Sequence, residues 1–367
     1  MTKLDKLIQE LCPNGVEFRK VKEVYQRIKG TPITAGKMKE IENPQGEIKI
    51  FAGGRTVINA KEEDIPNANI TRVPAVLVQS RGVIDAIYYD KPFTFKNEMW
   101  AYTADEPVSV KFLYYVLKNN MDYFRSTAAG MGSLPQISLP ATEDLVIPVP
   151  PLPVQREIVR ILDNFTELTA ELTAELTARK QQYAYYRDKL LAFGDDVPKD
   201  TLENLCDFQY GKGNSIPTAP GEYPVYGCNG VVGTTNVFNS IDAPVIGHIG
   251  SAGFVNWGKG KHFVTYNGTI CKVRPEKMIS RYAYHLLCSL HLERFVKGSQ
   301  PFLSYSDFAK ETVAIPPLNI QQRVVSILDR FDTLCTDLSS GLPAEIEARQ
   351  KQYEYYRDKL LTFTPAD

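Results

Sequence analysis

The sequence is poor in the residues from which active sites and metal centres are usually built. Its 367 residues include four histidines, six cysteines and two tryptophans. The cysteines (Cys12, Cys206, Cys228, Cys271, Cys288, Cys335) never fall in a Cys-x-x-Cys pair, so neither a zinc site nor a disulfide framework is indicated. His248, His262, His285 and His291 show no metal-ligand spacing, and His285 lies in an apolar helical stretch. No apolar run approaches the ~20 residues that a bilayer crossing needs. The N-terminus Met1-Thr2-Lys3-Leu4-Asp5 lacks a signal-peptide pattern, so a cytoplasmic protein with no membrane partner is expected. Charge of either sign is also lacking: the net charge is −1, with 19 basic against 18 acidic side chains in residues 1–150 and 11 against 10 in residues 196–315. A nucleic-acid role would therefore need a local positive face, or a partner that supplies the phosphate contacts.

Catalytic motifs are missing as well. There is no Asn-Pro-Pro-Tyr or Asp-Pro-Pro-Tyr motif of an amino-methyltransferase, and the Pro-Pro pairs stand before helices as start signals. No phosphate-binding loop of a nucleotide-driven motor occurs. Glu47-Ile48-Lys49 matches half of a nuclease carboxylate–lysine motif, but no Pro-Asp lies upstream and chance explains it. Gly247-His248-Ile249-Gly250-Ser251-Ala252-Gly253 is glycine-rich without a following Gly-Lys-Ser/Thr, which makes it a strand-end turn.

What the chain does have is a second copy of itself. Pro150-Pro151-Leu152, Gln155, Ile161-Leu162-Asp163 and Phe165 return as Pro316-Pro317-Leu318, Gln321, Ile327-Leu328-Asp329 and Phe331, a shift of 316 − 150 = 166. Gln182-Tyr183-Ala184-Tyr185-Tyr186-Arg187-Asp188-Lys189-Leu190-Leu191 returns as Gln352-Tyr353-Glu354-Tyr355-Tyr356-Arg357-Asp358-Lys359-Leu360-Leu361, a shift of 352 − 182 = 170. Repetition on this scale is domain duplication. Each copy is a globular segment followed by a long helix.

The globular segments, 1–150 and 196–315, read as mixed α/β with short strands broken by Gly and Pro. Strands are expected at 46–51, 75–79 and 86–89, then at 223–226, 243–246 and 253–257, with helices at 110–119 and 281–289. Finer marks are shared: Lys91, Phe93 and Asn97 with Lys261, Phe263 and Asn267; Gly132-Ser133, Pro135 and Ser138 with Gly298-Ser299, Pro301 and Ser304. Between these marks the copies diverge, as expected when a frame is kept and its loops change target.

The segments 151–195 and 316–367 carry apolar residues at three-to-four spacing. In the first, Ile158, Leu162, Phe165, Leu168, Leu172, Leu176, Tyr183, Tyr186 and Leu190 share one face up to a stop at Gly194. Such a helix is ~60 Å long. Neither stripe can be hidden alone, so the two helices are expected to pack as an antiparallel coiled coil. Glu167, Glu171 and Glu175 each open a Glu-Leu-Thr-Ala unit, and each unit adds ~6 Å of rise to a helix. The array would act as a ruler; a slipped coding repeat tolerated by the helix is the other reading. The second helix carries an extra stretch with Gly341-Leu342-Pro343, where an interruption is expected.

With these elements in place, the chain resembles the specificity subunit of type I DNA restriction–modification systems over essentially its whole length. The carriers are the two Pro-Pro-Leu…Gln…Ile-Leu-Asp helix starts, the two Tyr-x-Tyr-Tyr-Arg-Asp-Lys-Leu-Leu helix ends and the Gly-Ser…Pro…Ser element before each helix. The Thr-Ala-Glu-Leu array resembles the branch whose repeat number sets the spacing within the DNA site. The resemblance implies an α+β fold with two target-recognition domains (1–150, 196–315) and two spacer helices (151–195, 316–367). It implies a non-catalytic chain that reads a bipartite, asymmetric double-stranded DNA target, scaffolds two methyltransferase subunits and is joined by restriction/translocase subunits. S-adenosylmethionine, ATP and Mg would belong to those partners, with no cofactor in this chain. A related two-subunit system with a fused methyltransferase–nuclease partner is the alternative. A fused restriction–methylation enzyme and a purely protein-pairing scaffold are rivals from other classes; the missing cofactor motifs and the even charge balance disfavour them.

Sequence readout needs Arg or Lys for guanine and Asn or Gln for adenine, on exposed loops. The candidates are Lys29, Lys37, Arg55, Arg81, Gly82, Lys96 and Arg125 in the first copy. In the second they are Lys212, Asn214, Asn229, Ser251, Asn256, Lys259 and Lys261. An ordinary solvated charge or a turn-forming Asn is the bland alternative at each. Arg81-Gly82 and Ser251-Ala252-Gly253 are expected at matching strand junctions; Trp257 could stack on a base or belong to the core. For docking the methyltransferases the candidates are Leu152, Gln155, Tyr185, Tyr186 and Arg187, with Leu318, Gln321, Tyr355, Tyr356 and Arg357. Tyr186 and Tyr356 also fit the coiled-coil seam.

Overall fold

The duplication read from the sequence is a duplication of fold in the computed structural model, which describes residues 2–131, 134–213, 220–337 and 340–366. Two compact units form: Met1–Ala170 with Glu347–Asp367, and Glu171–Ile346. Each unit therefore holds one globular domain, part of the helix that follows it and part of the helix that follows the other domain.

In the first unit the principal strands are β1 (Gln26–Ile28), β2 (Ile48–Phe51), β3 (Val57–Ala60), β4 (Ala75–Gln79), β5 (Asp85–Tyr89), β6 (Phe93–Phe95) and β7 (Trp100–Thr103). They form a four-stranded sheet in the order β1-β7-β4-β5 and a three-stranded sheet in the order β3-β2-β6. The second unit has β8 (Cys206–Tyr210), β9 (Tyr223–Gly227), β10 (Gly230–Thr235), β11 (Ser240–Gly247), β12 (Val255–Val264) and β13 (Gly268–Val273). These make one sheet in the order β8-β13-β11-β12-β9-β10. The two orders are the same once β5 and β6 are read as the two ends of β12. In both units the hinge of the sheet is a parallel pair, Lys49 opposite Phe93 and Val225 opposite Phe263. Pro92 accounts for the split in the first unit, because proline cannot donate to a strand ladder. His262 stands at the matching place, opposite Ser240 in a β12 that stays continuous.

The central strand β4 is buried along its whole length. Val76 and Val78 face one core with Phe112, Leu113 and Val116 of the helix Pro107–Asn119, while Ala75 and Leu77 face another with Phe93, Phe95 and Met99. That alternation is the period of two of a strand covered on both faces. In the second unit Ile246 of β11 packs with Leu286 and Leu287 of the helix Ser280–Ser289, and Val245 packs with Val264 and Ile270.

The first long helix runs unbroken from Leu152 to Leu191, through all three Glu-Leu-Thr-Ala units. The second is two helices, Leu318–Thr336 and Leu342–Leu360, so the interruption falls where the sequence placed it. Pro343 stands in the first turn of the later helix, where its missing N–H costs nothing. A Cβ on Gly341 would lie 2.7 Å from the Thr333 carbonyl oxygen and 2.9 Å from that of Leu334. Only glycine lets the chain pass so close to the preceding helix end.

In the first unit Val154, Ile158 and Leu162 from the first long helix share a core with Leu361 from the end of the chain. In the second, Leu191 shares a core with Val324, Val325 and Leu328. Phe165 stacks on Tyr356 at 5.5 Å in the first unit, and Phe331 stacks on Tyr186 at 5.6 Å in the second. Within each unit the start of one helix thus meets the end of the other, as antiparallel packing requires. Among the described residues no helix is long and apolar enough to cross a membrane.

Candidate functional site

Each unit folds the loop after its central strand against the segment that carries the Pro…Ser mark. In the first unit the Gly82 N–H donates to the Pro135 carbonyl (2.9 Å), and the Ile137 N–H donates to the Ser80 carbonyl (2.9 Å). Arg81 and Gln136 then face each other as an isolated antiparallel pair. In the second unit the Gly250 N–H donates to the Pro301 carbonyl (3.0 Å), and the Leu303 N–H donates to the His248 carbonyl (2.8 Å). Ile249 and Phe302 face each other in the same way. Gly82 and Gly250 both have positive φ, 77° and 90°, which side chains other than glycine rarely adopt.

A hairpin turn flanks each of these paired loops. The turn Gly53–Arg55 joins β2 to β3, and the Gly54 N–H donates to the Arg81 carbonyl (3.3 Å). Gly54 and Arg55 both have positive φ, 70° and 72°. The Gly53 N–H donates to Glu98 Oε1, and Lys96 pairs with the other oxygen of Glu98 at 3.0 Å. Ser80 Oγ donates to the Glu98 carbonyl. Arg55, Arg81, Gly82 and Lys96 are thus brought into one cluster. In the second unit Cys228-Asn229 joins β9 to β10. A Cβ on Gly250 would meet Cys228 Sγ at 3.2 Å, and a Cβ on Gly230 would meet Asn256 Oδ1 at 3.6 Å. Asn229, Gly250 and Asn256 form the matching cluster, and Asn256 Nδ2 is buried without a hydrogen-bond partner among the described residues.

The remaining candidates lie elsewhere. Lys29 lines a cavity of about 490 Å³ with Arg27, Asn97 and Trp100. Lys37 and Arg125 sit on short helices and pair with Glu40 and Asp122 of those helices. Lys212 and Lys259 are exposed. Lys261 lies over the rings of Phe238 (5.0 Å) and Tyr223 (5.7 Å). Asn214 lies outside the described residues, as do Gly132 and Ser133. Trp257 is committed to the protein, with the Arg281 guanidinium 4.9 Å from its ring centre.

One expectation is corrected. The counterpart of Arg81-Gly82 is Ile249-Gly250, not Ser251-Ala252-Gly253. Gly253 is a packing glycine, because a Cβ there would lie 2.7 Å from the Glu293 nitrogen. The loops differ in length beyond the shared hydrogen bonds, so spacing alone misaligned them. Sequence reasoning also passed over Gln136, Ile249 and Phe302. The shared Pro135 and Pro301 marks were the signal, since each supplies the carbonyl that fixes its loop.

The helix starts and ends divide into inward and outward residues. Gln155 and Gln321 are buried, donating from Nε2 to the Pro150 and Pro316 carbonyls at 2.8 and 2.9 Å. Gln321 Oε1 also accepts from the Ile279 N–H. These glutamines fasten the helix starts and are withdrawn from the docking surface. Arg187 is buried against Tyr183 and Asp188, and Arg357 bonds Asn119 and Asp358. Tyr186 and Tyr356 take the seam. Tyr185 and Tyr355, 60% and 62% exposed, and Leu318 at 40% are left facing solvent, with Leu152 half-buried.

The repeated Asp of the helix starts has a structural task. Asp163 accepts from the Tyr115 hydroxyl and pairs with Lys111 (2.8 Å). Asp329 accepts from His285 Nε2 and pairs with Arg281 (both 2.7 Å), and Arg281 also bonds Asp332. Burial opposes the charge on Arg281, yet Asp332 and Asp329 hold it above its ordinary pKa. Burial likewise opposes ionisation of Asp329, and His285 and Arg281 overcome it to hold that carboxyl below its ordinary value. Burial depresses the His285 imidazole. Among the described residues no His, Cys, Asp and Glu cluster fit for a metal ion occurs.

Comparison with known proteins follows the same division. The family model for the type I restriction modification DNA specificity domain matches twice, over residues 13–179 and 196–348. A type I restriction enzyme specificity subunit of Escherichia coli is 35% identical over 295 residues, covering 71% of this chain and 72% of that one. The MpnII specificity subunit of Mycoplasma pneumoniae is 30% identical over 309 residues, covering 63% of this chain and 92% of that one. In fold, the type I restriction–modification S subunit from M. genitalium superposes with a TM-score of 0.64 at 19% identity, covering 94% of this chain and 95% of that one.

Proposed function

Because the chain belongs to the type I restriction–modification DNA specificity family, we propose that its two globular domains, 1–150 and 196–315, each read one half of a bipartite double-stranded DNA target. The observation that carries this is the paired loop, built twice with the same two hydrogen bonds, Gly82 to Pro135 and Gly250 to Pro301 among them, yet presenting different side chains. A fixed frame with altered exposed residues is what two different half-sites need. In the first domain Arg55, Arg81 and Lys96 supply the cationic contacts; in the second the exposed Asn229 supplies an amide. The helical segments 151–195 and 316–367 hold the two readings apart, so the Glu-Leu-Thr-Ala array sets the unread gap. Tyr185, Tyr355 and Leu318 offer apolar surface for two methyltransferase subunits. Those partners, with the restriction subunits, would bring the S-adenosylmethionine, ATP and Mg; the part of this chain is recognition.

The test is genome-wide adenine methylation in cells carrying this gene with its neighbouring methyltransferase gene, compared with cells lacking this gene. A split motif with a fixed gap that vanishes on deletion supports the reading, and removing one Glu-Leu-Thr-Ala unit then shortens the gap. An active, chain-bound methyltransferase that yields no gene-dependent motif refutes it.

A further inference from the structure

Resting on the recognition role just proposed, we infer that Arg81 and Gln136 form the base-reading pair of the first domain and take two neighbouring purines, a guanine and an adenine, in the major groove. The two residues stand opposite each other across the isolated pairing of their segments. Hydrogen bonds run between the residues on either side of the pair, Gly82 to Pro135 and Ile137 to Ser80, rather than between Arg81 and Gln136 themselves. A pair of that kind has Cα atoms about 4.5 Å apart and its side chains close together on one face. Base pairs stack at about 3.4 Å. Two side chains so placed are spaced to reach adjacent base pairs.

Their chemistry is complementary to that placement. The Arg fork bonds guanine O6 and N7, and the Gln amide bonds adenine N6 and N7. Both side chains are exposed, and neither is paired with another group among the described residues. The nearby carboxylate does not compete, because Glu98 is taken up by Lys96 and the Gly53 N–H. Glycines keep the approach open. A Cβ on Gly54 would meet nothing within 4 Å, so that residue is glycine for its backbone turn and leaves free space beside Arg81.

The second domain shows what the frame is for. At the equivalent places stand Ile249 and Phe302, the latter 40% exposed, and neither side chain can donate a hydrogen bond. The same backbone hydrogen bonds therefore carry a donor pair in one copy and an apolar pair in the other. A structural pair would have no reason to change character so completely while its backbone contacts stay fixed.

The experiment selects bound duplexes from a randomised library with the full chain in complex with its methyltransferase subunits, then measures affinity for every single-base change. Wild type is compared with Arg81→Ala and Gln136→Glu. In wild type, two adjacent positions of one half-site should each discriminate by about 5- to 150-fold. Arg81→Ala should bring the guanine position close to no discrimination. Gln136→Glu, which replaces donors by acceptors, should move the neighbouring preference from adenine to cytosine. The other half-site should be unchanged in both variants. An affinity loss uniform over all sequences, an unchanged first half-site, or loss of both half-sites in both variants would each overturn the inference. If wild type selects no bipartite motif, the recognition role itself fails, which is a separate result.

Discussion

Arg281 is the residue whose removal tests the packing of the second domain on its helices most severely. Its side chain is only 16% exposed and lies between Asp329 and Asp332, with the Trp257 and Tyr284 rings 4.9 and 4.5 Å from the guanidinium. Arg281→Ala leaves Asp332, 9% exposed, with the Tyr284 hydroxyl as its remaining donor at 3.2 Å. Breaking a buried pair by removing one partner costs about 3–5 kcal/mol, because an uncompensated charge stays behind. Asp329, 38% exposed, adds little, since water screens it. Amide exchange of the helix Ser280–Ser289 in the full chain reads the change as a lower opening free energy. The helix Pro107–Asn119 of the first unit serves as the internal control. The charge can be removed together with its partner: the position matching Asp332 is Thr166 in the first copy, a shift of 332 − 166 = 166. Arg281→Ala with Asp332→Thr should therefore recover at least about 1 kcal/mol beyond the sum of the single changes. A single-variant effect below about 1 kcal/mol, or strict additivity, would refute the reasoning.

Three further outcomes are expected. His285 is held neutral between the Tyr183 hydroxyl and Asp329, and burial lowers it from its ordinary value of 6.5. Stability of the second unit should then fall below pH 6.5, as the unfolded chain takes protons the folded chain refuses, with His285 contributing up to about 1.4 kcal/mol per pH unit beside His262, which burial also depresses. His285→Gln should reduce the pH 5–6.5 slope of exchange in residues 280–289, leaving the part that His262 contributes; a slope unchanged by the substitution would show that His285 does not carry it. Gln321→Ala strands the Ile279 N–H and the Lys277 and Pro316 carbonyls, and should cost about 1–3 kcal/mol in urea unfolding. Tyr355→Ala should weaken capture of the methyltransferase subunit while helicity and melting stay unchanged, whereas Tyr356→Ala should lower melting, because it empties the stack on Phe165.

The sequence by itself determined the duplication, the two mixed α/β segments, the unbroken first helix and the break at Gly341–Pro343. These are properties of local pattern: an apolar spacing of three to four, a proline without a donor, a glycine before it. Tyr186 and Tyr356 were legible as seam residues for the same reason. The paired loops were only half legible. Pro135 and Pro301 were matched from the sequence, but the partner of Arg81-Gly82 was placed on Ser251–Gly253, because loop spacing does not reveal which backbone N–H meets which carbonyl. Gln155 and Gln321 look like exposed docking groups in a helical pattern, and only the fold shows them turned inward to fasten the helix starts. Asp329, Arg281 and His285 are separated by tens of residues, and nothing in the spacing joins them. Pattern fixes elements because hydrogen bonds within a helix and side-chain alternation along a strand are short-ranged. Which loops, charges and amides meet is decided by packing between distant segments, and that is settled only when the chain closes on itself.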